Sequence, residues 1–137
     1  MPNHCYQSVY VQGPRAVVQE LFFQLAEQGR FCDAVIPMPL SEASVGYEWR
    51  VTNWGTKWDV AEAEITQGLE VSAHEIEAWF AFRCWTAWSP PVPVWDKLHE
   101  MGVTVEAEYQ DEGGMFEGRY SDGEDECWVP DLEEEAV

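Results

Sequence analysis

Two hydrophobic periodicities take turns along this chain, and their order constrains the fold more than any single motif does. Segments in which apolar and polar side chains alternate are typical of strands, and segments that repeat apolar side chains every three or four residues are typical of helices. Gly29 and Gly102 end the two helical segments. Strands are predicted at residues 5–12, 58–65, 76–86 and 103–109, and helices at residues 14–29 and 94–101.

This order of elements predicts an α+β fold. Strand, helix, strand, strand, helix, strand is the order of a ferredoxin-like βαββαβ sandwich, in which two helices cover one face of an antiparallel sheet. The strand at residues 76–86 is largely apolar on both faces and is expected to be central. Residues 31–57 are interpreted as an irregular insertion, and residues 115–120 as a returning hairpin strand. We expect a single domain over residues 1–128, followed by an acidic C-terminal extension over residues 129–137.

The charge of the chain excludes several classes of partner. Asp and Glu number 26 against 7 Lys and Arg, which gives a net charge of −19 over 137 residues. Such a charge repels phosphate backbones and anionic lipid, so direct binding to nucleic acid or to a membrane is not expected. The same charge attracts a strongly basic surface and therefore favours a basic protein partner.

The spacing of cysteines and histidines gives no sign of a metal site or a cofactor. The four cysteines are widely separated without a C-x-x-C spacing, and the three histidines are isolated. The first residues lack the basic and apolar regions of a secretory signal. We therefore expect a cytoplasmic protein with reduced thiols, without a metal and without a cofactor.

Acidic residues concentrate toward the C-terminus, where aromatic side chains are interleaved with them. Between residues 106 and 128 this mixture predicts an ordered acidic surface, because aromatic residues beside charges anchor protein interfaces. Residues 131–137 are interpreted as a solvated tail, and for any single pair of carboxylates a solvated face is the simpler interpretation. The candidate partner-binding residues are Glu62, Glu64, Glu106, Glu108, Asp111, Glu112, Glu117, Asp122, Glu124 and Asp125.

Two tryptophan-rich motifs, WGTKW at residues 54–58 and WTAWSPP at residues 85–91, are expected to meet near one end of the sheet. One interpretation is a ligand pocket in which Lys57 or Arg83 holds an anion. The other is an aromatic mini-core, which we favour because protein cores rely heavily on such clusters. Ser89 has no histidine neighbour in the local sequence, so no catalytic residue is predicted. The candidate pocket residues are Trp54, Lys57, Trp58 and Trp88.

Several segments, which together extend to about residue 120, match one known family. They are residues 1–14, 36–39 (IPMP), 53–59 (NWGTKWD), 86–91 (TAWSPP) and 109–120. In these segments the chain resembles the Api92-like/YubB ferredoxin-like proteins of phages and plasmids. The resemblance implies a ferredoxin-like fold and an origin on a mobile element, and it implies no known reaction.

The charge asymmetry and the resemblance together predict an anti-defence protein. An acidic surface is able to occupy the basic nucleic-acid channel of a CRISPR effector or a restriction enzyme, and so to block it stoichiometrically. The expected partner is a basic host defence complex, and the protein itself is a monomer or a dimer. An alternative is a small-ligand or nucleotide-binding or modifying protein that uses the tryptophan pocket. A third is a regulatory module that assembles through an exposed sheet edge.

Overall fold

The computed structural model describes residues 3–39, 41 and 46–130, and within these ranges the chain forms six strands and four helices. No helix among them is long and apolar enough to cross a membrane. The strands are β1 (His4–Pro14), β2 (Ala61–Val71), β3 (Glu77–Ala87), β4 (Thr104–Asp111), β5 (Glu117–Ser121) and β6 (Glu124–Trp128). The helices are α1 (Arg15–Gln28), α2 (Cys32–Val35), α3 (Gly46–Trp54) and α4 (Val92–Glu100).

The strands form one antiparallel sheet in the order β2-β3-β1-β4-β5-β6. The predicted α+β class is therefore confirmed. The first strand of the chain lies inside the sheet, where it pairs with β3 on one side and β4 on the other. Each of these neighbours is reached only after a helix or a further strand, so the centre of the sheet depends on contacts between distant parts of the sequence.

The two faces of the sheet differ in what covers them. On one face, Val9 and Val11 of β1 are buried beneath α1 and α4, which contribute the buried residues Val18, Leu21, Leu25, Val94, Trp95 and Leu98. On the other face, Tyr6 and Ser8 are exposed and Tyr10 is half-buried. We call this second side, with the residues that pair alongside these three, the open face.

The described part of the chain contains four helices, whereas the sequence predicted two. Both additional helices, α2 and α3, lie in the segment 31–57 that was interpreted as irregular. The helix α2 is a single turn whose first N–H groups, those of Cys32 and Asp33, are bound by Asp59, which lies 27 and 26 positions further along the chain. Local periodicity therefore carries little information about it.

The carboxylate of Asp59 joins this helical segment to the start of β2. Its two oxygens accept hydrogen bonds from the backbone N–H groups of Phe31 (3.2 and 3.3 Å), Cys32 (2.8 Å) and Asp33 (3.0 Å), and Oδ1 also accepts from Val60 (2.7 Å). It thereby acts as the N-terminal cap that α2 lacks from its own neighbouring residues. Loss of this carboxylate leaves several half-buried donors without a partner.

Two strands differ from the predicted ones. The strand β2 runs six residues beyond the predicted end at Ile65, because its register shifts repeatedly along β3 and the shifts interrupt the period-two pattern. The strand β6 consists of Glu124–Trp128 and pairs with β5, although its acidic sequence shows no apolar alternation. Of the predicted tail, residues 131–137 lie outside the described residues.

Two buried tyrosines fasten the β5–β6 hairpin to the rest of the fold. The phenol of Tyr109 donates to Asp125 Oδ1 (2.6 Å), and that of Tyr120 donates to Asp96 Oδ1 on α4 (2.7 Å). Burial first, and then the hydrogen bond to the neighbouring carboxylate, raise both pKa values well above the ordinary tyrosine value. Both phenols therefore stay protonated donors at neutral pH. Gly118 makes room for the ring of Tyr109, which a Cβ at that position would overlap.

Replacing Gly118 with alanine tests this close approach. We expect Gly118→Ala to lower the free energy of unfolding by about 1–3 kcal/mol, because the Tyr109 ring and the Glu126 carbonyl occupy the space of the new methyl group. Urea unfolding followed by tryptophan fluorescence measures the effect. Gly68→Ala in β2 is the matched control, since no atom lies within 4 Å of its Cβ position. Equal stability of the two variants would contradict the close approach.

Replacing Asp59 tests the junction between α2 and β2. We expect Asp59→Ala to cost about 2–3 kcal/mol of unfolding free energy, because it removes a helix cap and leaves backbone N–H groups unbound. Asp59→Asn keeps one acceptor oxygen and is expected to lose less. Urea unfolding measures both variants. Full stability of Asp59→Ala would mean that solvent satisfies these donors.

Candidate functional site

The pairing register arranges the open face into rows that run across the strands. Directly paired residues point to the same side of a sheet, so each row follows from the register. We call the row nearest the start of β1 the aromatic row, and the row beside it the charged row. The aromatic row is Trp85, Tyr6, Gln110, Glu117 and Trp128, and the charged row is Glu64, Arg83, Ser8, Glu108, Arg119 and Glu126.

Carboxylates outnumber cations in these rows. In the charged row, Arg83 stands beside Glu64, and Arg119 stands between Glu108 and Glu126. A third row, which passes through Tyr10, adds Glu106 and Glu124 without an arginine. The side-chain atom Oε2 of Glu106 is shielded from solvent and has no hydrogen-bond partner among the described residues. The open face is therefore acidic overall and retains an unused acceptor.

A groove of about 680 Å³ lies over the aromatic and charged rows. The small side chain of Ser8 lines the groove between Arg83 and Glu108 of the charged row. Trp85 and Trp128 line it from opposite ends of the aromatic row. The groove is thus lined both by two indole rings and by charged side chains.

Hydrogen bonds hold three of the groove's carboxylates in place. The indole Nε1 of Trp85 donates to Glu62 Oε2 (2.6 Å). At the other end of the row, Nε1 of Trp128 donates to Glu117 Oε1 (2.8 Å). The guanidinium of Arg83 donates from Nε (3.1 Å) and Nη2 (2.9 Å) to Glu64 Oε2. These carboxylates are oriented before any partner arrives, which reduces the entropy cost of binding.

Six of the ten predicted partner-binding residues lie on the open face, namely Glu62, Glu64, Glu106, Glu108, Glu117 and Glu124. The other four lie elsewhere. Asp111 is buried and its Oδ2 accepts from the N–H groups of Gly113 and Met115, so it shapes the turn after β4. Glu112 accepts from the His4 N–H, Asp122 lies in the β5–β6 turn, and Asp125 is bound by Tyr109 on the helix-covered face.

The two tryptophan motifs meet at one end of the sheet, as their positions predicted. The hydroxyl of Thr56 donates to the carbonyl of Ala87 (3.0 Å) and accepts from its N–H (3.1 Å), and Ser89 Oγ donates to the Gly55 carbonyl. Trp54 is buried and its Nε1 donates to the Ile36 carbonyl (2.8 Å). The hydroxyls of Thr56 and Ser89 thus hold the two motifs together, and Trp54 is part of the core.

Lys57, Trp58 and Trp88 do come together, with Tyr47 of α3 added to them. The ammonium Nζ of Lys57 lies 5.3 Å from the ring centroid of Tyr47, 5.8 Å from that of Trp58 and 5.3 Å from that of Trp88. We call the three rings the Lys57 cage. These distances are those of cation–π contacts, so three aromatic rings surround this ammonium.

The buried thiols are not suited to nucleophilic chemistry. Burial raises the pKa of Cys5 to about 12, and it raises the pKa values of Cys84 and Cys32 well above the ordinary thiol value. These thiols are therefore protonated at neutral pH, and only the thiolate is a good nucleophile. Among the described residues, no group of three or more histidine, cysteine or acidic side chains is placed to hold a metal ion.

Several residues of these sites are absent from the candidate sets predicted from the sequence. Glu126 and Trp128 belong to β6, whose pairing the sequence pattern does not reveal. Arg119 joins the charged row only through the register of β5 with β4. Tyr47 lies in the unpredicted helix α3. The sequence did give one signal. Arg83 and Trp85 are two positions apart in an alternating strand pattern, which places both side chains on the same face of β3.

The chain has two lysines, so the Lys57 cage is testable by methylating both. After reductive methylation with carbon-13 formaldehyde, we expect the Lys57 methyl signals to lie upfield of those of Lys97, because ring currents shield groups above aromatic faces. Lys97 is exposed on α4 and serves as the internal reference. Trp88→Gly is expected to bring the two signals closer. Coincident lysine signals in the native protein would contradict the cage.

Comparisons with known proteins leave the site to be interpreted from its geometry. No family model, curated protein or solved structure matches the chain. The resemblance to the phage and plasmid family therefore stays a prediction, and the function has to be inferred from the open face and the Lys57 cage.

Proposed function

We propose that the protein is a stoichiometric inhibitor that binds a basic, nucleic-acid-handling complex through its open face. The observation that carries this proposal is the acidic groove, in which carboxylates stand in fixed rows across the sheet. Along each strand, successive open-face residues are about 6.6 Å apart, and neighbouring strands are about 4.8 Å apart. In a basic nucleic-acid channel, carboxylates at these spacings take the place of the phosphate groups of the nucleic acid.

The groove also supplies the apolar part of an interface. The side chains of Tyr6 and Trp128 remain 43% and 45% exposed in the aromatic row, although both are large and partly apolar. Exposed aromatic side chains of this kind are frequent hot spots, because a partner can bury them at low conformational cost. The carboxylates supply steering and orientation, and the aromatic row supplies most of the buried apolar area.

Arginine is the cation that these rows favour. Its planar guanidinium binds a carboxylate through two parallel N–H bonds and also stacks on aromatic faces. Inside the groove, Arg83 already binds the carboxylate of Glu64 through two donors. Glu117 and Trp128 present a carboxylate joined to an indole at the edge of the groove, to which a partner's arginine fits in the same way.

The class of the target and the architecture are part of the same proposal. The order β2-β3-β1-β4, with α1 and α4 on one face, supports a ferredoxin-like unit that β5 and β6 extend. The motif resemblance to phage and plasmid proteins supports a mobile-element origin, for which a CRISPR effector or a restriction complex is the natural basic target.

A pull-down from bacterial lysate tests the proposal. We expect the tagged protein to retain a nucleic-acid-handling complex at low salt, and added salt or duplex DNA to release it, because screening and phosphates both compete with the carboxylates. The double variant Glu108→Gln with Glu126→Gln is expected to weaken that binding about tenfold, since it removes two open-face charges. Mass spectrometry and a binding titration with the retained complex provide the measurements.

A charge-matched control separates site-specific from general electrostatics. Glu27→Gln with Glu100→Gln removes the same charge from exposed positions on α1 and α4, away from the open face. This control is expected to bind like the native protein, and the native protein is expected to inhibit DNA cleavage by the captured complex at equimolar amounts. Binding that ignores salt, DNA and the groove variant would overturn the proposal.

A further inference from the structure

The Lys57 cage has the properties of a ligand site that the chain's own lysine occupies. We propose that Tyr47, Trp58 and Trp88 form a binding site for methylated ammonium groups, in which Lys57 is a displaceable resident cation. The site is separate from the carboxylates of the open face, so it does not depend on the proposed inhibitor function. Three ring centroids lie 5.3–5.8 Å from the Lys57 ammonium, and this spacing sets the size of the site. The ring faces attract positive charge, so the site prefers a cation.

A methylated ammonium suits the cage better than the resident lysine does. Ring faces attract a positive charge whatever its substituents, but a primary ammonium is strongly hydrated and loses that hydration among aromatic rings. Methyl groups weaken the hydration and bring apolar surface into contact with the rings. The resident Lys57 has the advantage of being tethered beside the rings, which an incoming ligand has to overcome.

The cage is open to solvent and one of its rings is held under strain. Tyr47 and Trp88 are 44% and 38% exposed, so a ligand reaches them without unfolding the chain. Trp88 has a φ of 72°, in the left-handed region that bulky residues rarely adopt. Such strain persists only where surrounding contacts impose it, and it is frequent at ligand sites. Here it places the indole across from Tyr47, with ring centroids 5.8 Å apart.

The frame of the cage does not require the Lys57 side chain. The backbone carbonyl of Lys57 accepts from Arg50 Nε (2.6 Å), and the N–H of Trp88 donates to the Asn3 carbonyl (2.8 Å). Between them, Thr56 binds both backbone groups of Ala87. These bonds keep the two tryptophan motifs together when the lysine side chain is removed or displaced.

Titration with tetramethylammonium chloride tests the site in the native chain. Methylated Lys57 is itself a tethered methylated ammonium, so in protein whose lysines carry carbon-13 methyl groups we expect its signal to move toward that of Lys97 in a saturable way at high ligand concentration. In unmethylated protein, Lys57→Ala is expected to bind tetramethylammonium about tenfold more tightly than the native chain, because the tethered competitor is gone. Sodium chloride at equal concentration controls for ionic strength.

Two variants decide whether the ligand is in the cage. Lys97→Ala removes the same charge at an exposed position and is expected to bind like the native chain. Trp88→Gly removes one ring, and glycine adopts a φ of 72° without strain, so this variant is expected to fold and to lose binding. An immobile Lys57 signal together with no binding to Lys57→Ala overturns the proposal, and so does binding that survives in Trp88→Gly.

Two ligands distinguish the sources of a methylated ammonium. Choline and a short arginine-containing peptide with one trimethyl-lysine are titrated in parallel, with the unmethylated peptide as the control. Tighter binding of the methylated peptide than of choline identifies a modified protein segment as the ligand. Equal binding of the methylated peptide and choline identifies a small methylated ammonium compound such as choline as the ligand. Equal binding of the methylated and unmethylated peptides, with no binding of choline, overturns the proposal while leaving the acidic open face untouched.

Discussion

The carboxylate of Asp59 is the interaction on which one whole end of the molecule depends. It binds backbone N–H groups of α2 and, at the same time, the first residue leading into β2. Lys57 and Trp58 directly precede it, so their position relative to the sheet follows from where this carboxylate is held. A buried aliphatic contact does not fix direction in this way, whereas a hydrogen bond restricts both distance and angle.

The arrangement of side chains on the open face depends on the pairing register of the strands. Side chains alternate between faces, so a slip of one residue in β4 or β5 moves the open-face carboxylates of that strand, Glu106 and Glu108 or Glu117, onto the helix-covered side. Gly118 and Tyr109 oppose such a slip, because the ring of Tyr109 fits over a position that only glycine leaves empty. The phenol of Tyr109 then reaches Asp125 on β6 and fixes the next strand too. The contact between Gly118 and Tyr109, with the hydrogen bond from Tyr109 to Asp125, thus fixes the register of β4, β5 and β6, on which the rows of the open face depend.

The sequence was informative where structure is local and uninformative where it is set by distant partners. Alternation located β1, β3 and β4 to within two residues, and apolar spacing with Gly29 located α1. These local patterns did not reveal α2, whose capping residue Asp59 is distant in the sequence. They also did not reveal β6, which carries charged side chains on both faces. An acidic surface over residues 106–128 was predicted from the concentration of Asp and Glu there. The rows of the open face were not, because they arise from pairing between strands, and the same concentration of acidic residues placed Asp111 on a surface when it is buried in a turn.

Aromatic contacts link the Lys57 cage to the open face. Trp58 of the cage lies edge-on to Trp85, with ring centroids 6.2 Å apart, and Trp85 is the first member of the aromatic row. On its other side Trp85 stacks on His4 at 3.8 Å, and its indole N–H binds Glu62. Trp85 therefore joins the Lys57 cage to the acidic groove through its contact with Trp58, without being one of the three cage rings. Under the two proposals together, an extended basic segment with a methylated lysine is a bivalent ligand, for which binding at one site raises the effective concentration at the other.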